Sequence, residues 1–226
     1  EERCIYSRDG DGSQTIDRSV LSECIYKKYI SINFVCSLKP RYTAYMFDAR
    51  VFLSEIDTAR KILNDNQALL KGDYVIHDAI YASKDPHIGI DKVFLRLRSV
   101  PKNILPEKPF IVAVKLTELK QIGKQSIIPV KKFFDTKNEA EQFIQNTYAD
   151  QFDFLYEFDR KGWQYDLGQD QIDLEYIEGH YSIEFKSPTE AGLQKLLALF
   201  NARDIIQGPS VVAIKDLLMQ KMPEKK

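Results

Sequence analysis

Phe94-Leu95-Arg96-Leu97-Arg98, followed after a Pro- and Lys-containing connection by Ile111-Val112-Ala113-Val114-Lys115-Leu116, is the stretch from which the fold of this chain is read. Successive side chains of a strand point to opposite faces, so Arg96 and Arg98 share one face and Leu95 and Leu97 the other. The second run is apolar until Lys115, and the connection suits a long hairpin or meander turn. Three cations are thereby brought onto one sheet surface. The solvated face of an ordinary antiparallel strand uses the same alternation, so the remainder of the chain has to decide between the two.

The chain has 226 residues, 44% hydrophobic and 29% charged, which is globular composition with length for a sizeable core. No run approaches the ~18 apolar residues of a membrane helix, and Glu1-Glu2-Arg3-Cys4 does not resemble a signal peptide. The expectation is a soluble, cytoplasmic protein without membrane contact. Cys4, Cys24 and Cys36 are odd in number and lack paired metal-ligand spacing, which argues against a disulfide framework and a zinc site.

The net charge of −1 conceals a segregation along the chain. Lys92 to Lys132 holds ten Lys or Arg against Glu107 and Glu118, and Phe133 to Glu190 holds fourteen Asp or Glu against Lys137, Arg160, Lys161 and Lys186. Brought together by a fold, these segments set a basic wall opposite an acidic one, as a polyphosphate with its divalent metal requires. Salt-bridged pairing of the two segments across a sheet gives the same segregation.

Residues 1–40 read as an N-terminal extension of unassigned role. Asp9 to Ser13 is a loop too short for an EF-hand, Arg18 to Tyr29 a short helix, and Tyr29 to Val35 a strand. Residues 41–222 read as one domain. Strands are predicted over Tyr42–Phe52, Tyr74–Tyr81, Phe94–Arg98, Ile111–Leu116, Ile127–Phe134, Phe152–Tyr165, Ile172–Ile177 and Tyr181–Phe185. Helices are predicted from Ser54, capped with Asp57 three residues on, from Thr136 to about Tyr148, from Ser187-Pro188-Thr189-Glu190 onward with Pro188 in the first turn, and from Val211 to Met219. The sum is an α+β fold of antiparallel strands with helices at the corners, a barrel or tunnel.

Several motifs, in order, resemble those of the CYTH family, the class IV adenylyl cyclases and thiamine triphosphatases. Leu95-Arg96-Leu97-Arg98 is similar to the family's Leu-Arg-x-Arg strand, and Ile111 to Lys115 to the next strand, ending in Lys. Thr136 to Ile144 resembles its central helix, and Arg160-Lys161-Gly162-Trp163 its Arg-x-x-aromatic strand. Leu174 to Gly179 resembles its Leu-Asp-x-Val-x-Gly run, Ser182-Ile183-Glu184 its closing Glu-x-Glu, and Ser210 to Leu218 its terminal helix. The entry signature Glu-x-Glu-x-Lys has as counterparts Ala44, Met46 and Asp48 or, shifted by two, Met46, Asp48 and Arg50; Phe158 stands for a Lys and Ser182 for a Glu. The resemblance implies an antiparallel eight-stranded β-tunnel with flanking helices that grips a triphosphate through Mg²⁺ or Mn²⁺.

Triphosphate carries three to four negative charges, and Arg grips two phosphate oxygens at once. Arg96, Arg98, Lys115 and Arg160 are the substrate-binding candidates. Glu184, Glu175 and Asp48 are the metal candidates, with Asp173 behind them, because a hard divalent ion takes oxygen ligands. The expected ligand is a triphosphate-bearing small molecule, with a 5′-triphosphate RNA end as a variant, either cyclised or hydrolysed. The alternative is a non-catalytic binding module that has kept the basic tunnel and lost the metal carboxylates. Ser/His/Asp or Cys/His hydrolysis has His77, His87 and His180 to draw on, but no nucleophile-elbow sequence surrounds any serine or cysteine, and the ten glycines form no phosphate loop or dinucleotide fingerprint. A sequence pI near 6.4 argues against a general nucleic-acid surface.

Overall fold

The computed structural model describes residues 7–8, 14–15, 47–101, 108–206 and 208–220. The chain divides into two compact units, Glu1–Tyr42 and Thr43–Lys226. In the first, β1 (Ser7–Arg8) pairs antiparallel with β2 (Gln14–Thr15). The helix and strand expected over 18–35, together with Ala44 and Met46, lie outside the described residues.

The second unit is a closed sheet of eight antiparallel strands: β3 (Phe47–Leu53), β4 (Leu69–Ser83), β5 (Val93–Ser99), β6 (Phe110–Leu119), β7 (Lys124–Phe134), β8 (Phe152–Leu167), β9 (Asp170–Ile177) and β10 (His180–Ser187). Their spatial order is β10-β3-β7-β6-β5-β4-β8-β9, closing on itself. Each expected strand is present, most of them longer than the local pattern indicates. The β9–β10 hairpin turns on Glu178 and Gly179, with φ of 51° and 91°. A two-residue turn matched to strand twist needs two such positive values, and glycine adopts them without strain.

Four helices flank the sheet: α1 (Asp57–Asp65), α2 (Lys137–Tyr148), α3 (Glu190–Leu199) and α4 (Ser210–Gln220). The cap of α2 is as read, with Thr136 Oγ1 accepting from Glu139 N–H and Glu139 reaching back to Thr136 N–H. The cap of α1 is a correction. Strand β3 runs on to Leu53, so the helix begins only at Asp57, with Ile56 at its N-cap and no side-chain cap. In α3 the cap is Thr189, which places Pro188 before the helix instead of in its first turn.

The larger apolar core lies outside the sheet, and a smaller one closes an end of the tunnel within it. Ala49, Val51, Ile172, Leu174, Ile183 and Phe185 pack under α1 and α3 through Ala59, Leu63, Leu193, Leu196 and Leu197. Helix α2 covers β5, β6 and β7, where Leu95, Leu97, Val112 and Val114 are buried. Each fully buried side chain of this size contributes roughly 1.5–3 kcal/mol, so the outward face holds the sheet's shape. The rest of the inward face is left to other chemistry. None of the described helices is long and apolar enough to cross a membrane.

Candidate functional site: the charged tunnel

The inward faces line a cavity of about 480 Å³, a size typical of small-molecule sites. Arg96, Arg98, Lys115, Arg160 and Glu184, drawn from β5, β6, β8 and β10, all face it. Alternation carries Leu95, Leu97, Ile183 and Phe185 to the opposite, buried face. Basic β5–β7 and acidic β9–β10 therefore stand across the tunnel from one another, as the charge segregation along the chain requires.

Four further charged residues belong to the network: Arg50, which the sequence offered only as a counterpart of the signature Lys, and Asp78, Lys124 and Lys186, to which it gave no role. Arg50, 1% exposed, meets Glu175 at 2.5 Å and Glu184 at 3.1 Å, and donates to Ser182 Oγ at 2.6 Å. Ser182, the counterpart of a family Glu, thus serves as an acceptor for a guanidinium. Asp78 gathers Arg98 in a two-point grip, Nε–Oδ1 2.7 Å and NH2–Oδ2 2.9 Å, and Arg160 NH2 at 2.7 Å. Lys124 pairs with Asp48, and Lys186 with both Asp173 and Glu184. Period-two extension from Asp48 and Glu184 reaches Arg50 and Lys186, whereas Asp78 comes opposite Arg98 only through the β4–β5 register.

One end of the tunnel is apolar and filled by α4, where Val211 and Ile214 pack on Ile80, Phe94, Phe158 and Ile177. Phe158, standing for a family Lys, belongs to this plug. Ser210 Oγ accepts from Arg50 Nε at 3.0 Å, tying α4 to the charged network. Tyr74 enters from β4 and donates to Glu175 Oε1 at 2.5 Å. Its ring lies against Gly162, where a Cβ would stand 2.4 Å from Tyr74 Cζ, so only glycine allows this approach.

The electrostatics follow from these pairs. Burial opposes ionisation of Glu175, but Arg160 and Arg50 outweigh it and hold the carboxyl below its ordinary range. Burial acts likewise on Glu184, and Arg50 and Lys186 pull it well below that range. Asp173 goes the other way, raised by burial that Lys186 only partly offsets. On the basic wall, burial lowers Arg96, with Asp78 compensating in part. Burial and then repulsion from Arg96 bring Lys115 down to about 8.

Glu184, Glu175 and Asp48 do face the tunnel, but each is committed to protein cations: Glu184 to Arg50 and Lys186, Glu175 to Arg50 and Arg160, Asp48 to Lys124. Among the described residues no three His, Cys, Asp or Glu side chains are grouped so as to hold a metal ion. The donor set does not fit Mg²⁺ or Mn²⁺, whose ligands are carboxylates not already neutralised. Arg96 and Lys115 are placed differently. The contact of Arg96 with a carboxylate is 3.8 Å from Asp78, and its Nε is buried without a hydrogen-bond partner. Lys115 has no ion-pair partner among the described residues and lies 5.8 Å from the Phe94 ring centroid.

The fold has likenesses among solved structures. The PH1819 protein of Pyrococcus horikoshii superposes with a TM-score of 0.58 at 12% identity, over 78% of this chain and 100% of that one. The proposed adenylyl cyclase HpAC1 of Hippeastrum, in which a triphosphatase activity dominates, gives 0.52 at 12% over 80% and 98%. A proposed adenylate cyclase of Vibrio parahaemolyticus gives 0.53 at 12% over 77% and 98%. The chain has the fold of the CYTH proteins. No protein-family profile and no curated protein sequence matches it, and at such identities the CYTH likeness is one of fold. The eight-stranded antiparallel tunnel expected from the ordered motifs is the observed architecture.

Proposed function

We propose that this CYTH-type tunnel binds a triphosphate- or polyphosphate-bearing small molecule without a divalent ion and without chemical turnover. The observation that carries the reading is the pair Arg96 and Lys115, two partly buried cations on one wall that the protein's own carboxylates compensate least: Arg96 meets Asp78 at 3.8 Å, and Lys115 has no ion pair among the described residues. Around the tunnel, Arg50, Arg96, Arg98, Lys115, Lys124, Arg160 and Lys186 face Asp48, Asp78, Asp173, Glu175 and Glu184, a net charge of +2 among the described residues. Cationic charge in excess of the carboxylates in a low-dielectric cavity draws an anion, with Arg96 and Lys115 as its candidate ligands, and Arg98 and Arg160 join them only on release from Asp78. With the carboxylates neutralised in place, no Lewis acid is held to stabilise a leaving phosphate.

Titration calorimetry with tripolyphosphate and with ATP, with and without EDTA, tests this. Binding should be unchanged by EDTA, and neither ligand should yield product with Mg²⁺ or Mn²⁺. Abolition of binding by EDTA, or turnover with either metal, overturns the reading. A metal-dependent triphosphatase is the second reading, favoured by the activity of the Hippeastrum protein of the same fold; it requires Glu184 and Glu175 to leave Arg50 for a metal. A 5′-triphosphate RNA end presents the same group, and an RNA arm in the titration separates it from free nucleotide.

A further inference from the structure

Asp78 is a carboxylate 1% exposed at the tunnel wall, and it stands where three guanidiniums converge. Arg98 grips it through two nitrogens at 2.7 and 2.9 Å, Arg160 NH2 reaches Oδ2 at 2.7 Å, and Arg96 Nε lies 3.8 Å from Oδ1. Forked two-point bonding plus further cations around a small planar or tetrahedral anion is how arginines hold a phosphoryl group. Asp78 relieves the mutual repulsion of these guanidiniums, and it does so with the bonding that a phosphoryl group would take. We infer that Asp78 is a specificity-determining residue, a built-in stand-in for one phosphoryl group that limits how long a polyphosphate chain the tunnel can seat.

The inference rests on the anion-binding reading of the tunnel and narrows it. With Asp78 in place, Arg98 and Arg160 are committed, and the cations left to an incoming ligand are Arg96 and Lys115. Two phosphoryl groups use these, and a third finds no protein cation of its own. Removing the Asp78 charge releases Arg98 and Arg160 together, and the third phosphoryl group gains a site. Selectivity between ligands that differ by one group depends on such a buried partner being satisfied or left bare.

The test is calorimetric titration of the full chain with pyrophosphate and with tripolyphosphate, for the wild-type protein and for Asp78→Asn. The wild-type protein should bind the two within about three-fold of each other, and the variant should prefer tripolyphosphate by about ten-fold or more, equivalent to ~1.4 kcal/mol. The variant's melting temperature should also rise more in tripolyphosphate than in pyrophosphate, since the ligand refills the vacated position. An unchanged ratio in the variant overturns the inference. So does a larger wild-type preference for the longer chain, a measurement that stands even where the variant fails to fold. Wild-type protein that binds neither anion removes the anion-binding reading itself, whereas binding of both without the shift in preference removes only the role of Asp78.

Discussion

Glu175→Gln is the substitution in which the tunnel's two demands, folding and anion binding, pull apart. Glu175 is 1% exposed and holds Arg50 at 2.5 Å, Arg160 at 3.1 Å and Tyr74 at 2.5 Å. Breaking a buried pair by removing one charge costs ~3–5 kcal/mol. Arg50 keeps Glu184 at 3.1 Å and Arg160 keeps Asp78 at 2.7 Å, so the loss should fall near the lower end. In a unit of this size each kcal/mol shifts melting by about 2–4 °C, giving a drop of roughly 6–12 °C. The same change removes a negative charge from a cavity of net +2, so affinity for tripolyphosphate should rise. At roughly 6 Å and an effective dielectric of ~20, one unit charge amounts to about 3 kcal/mol before ligand desolvation, enough for ten-fold or more. Differential scanning calorimetry and titration at pH 7 read both quantities. The folded-state pKa of Glu175 is depressed, so its stabilisation is present above the unfolded carboxylate value of roughly 4 and is lost as pH falls through the folded value. The gap between wild type and variant should therefore close in acid. A variant that melts unchanged, or one that binds the anion more weakly, refutes the account of the network.

Lys115, brought to about 8 in the free protein, should take up a proton when an anion binds, because the bound charge raises its pKa again. Affinity should thus fall as pH rises through about 8, and Lys115→Gln should weaken binding and flatten that pH profile; a wild-type profile flat from neutral to alkaline pH contradicts the assignment. Gly162→Ala should destabilise by ~1–3 kcal/mol, by expelling the Tyr74 ring and leaving Glu175 short of a donor. In a Tyr74→Ala background the same glycine substitution should be close to neutral, and equal effects in both backgrounds would show that the ring contact is not the cause. Thr136→Ala should cost ~1 kcal/mol through loss of the α2 cap, read as a shift in denaturant midpoint without loss of anion binding.

The legible part of this fold is its alternation. Arg96 and Arg98 against Leu95 and Leu97 assign both faces of β5 without reference to any other strand, and the same parity places Lys115, Arg160 and Glu184 inside. The capping box at Thr136 is likewise local chemistry. What escapes the sequence is whatever depends on which strands become neighbours. Asp78 meets Arg98 because Asp78 pairs with Arg98 across β4 and β5 and with Phe158 across β4 and β8. The pairing of Lys124 with Asp48 sits at the β3–β7 seam, where only short segments bridge the closing strands. The ion-pair network around the metal candidates is illegible in the sequence for this reason. Glu184, Glu175 and Asp48 face inward as parity requires, but parity does not reveal that Arg50, Arg160, Lys124 and Lys186 reach them first.

A closed sheet whose apolar layer lies outside must fill its interior with groups that tolerate one another in the absence of ligand. Seven like-charged side chains left bare there would oppose folding by desolvation and mutual repulsion. The carboxylates of β3, β4, β9 and β10 relieve that repulsion, and each one that does so also withdraws a cation from any incoming anion. Stability and affinity are therefore set by the same residues with opposite sign. Arg96 and Lys115 mark where that relief is weakest: burial lowers both, and the nearby carboxylates offset it only in part. Under the anion-binding proposal, the ligand such a tunnel takes is limited by the charge that its own carboxylates have not already cancelled.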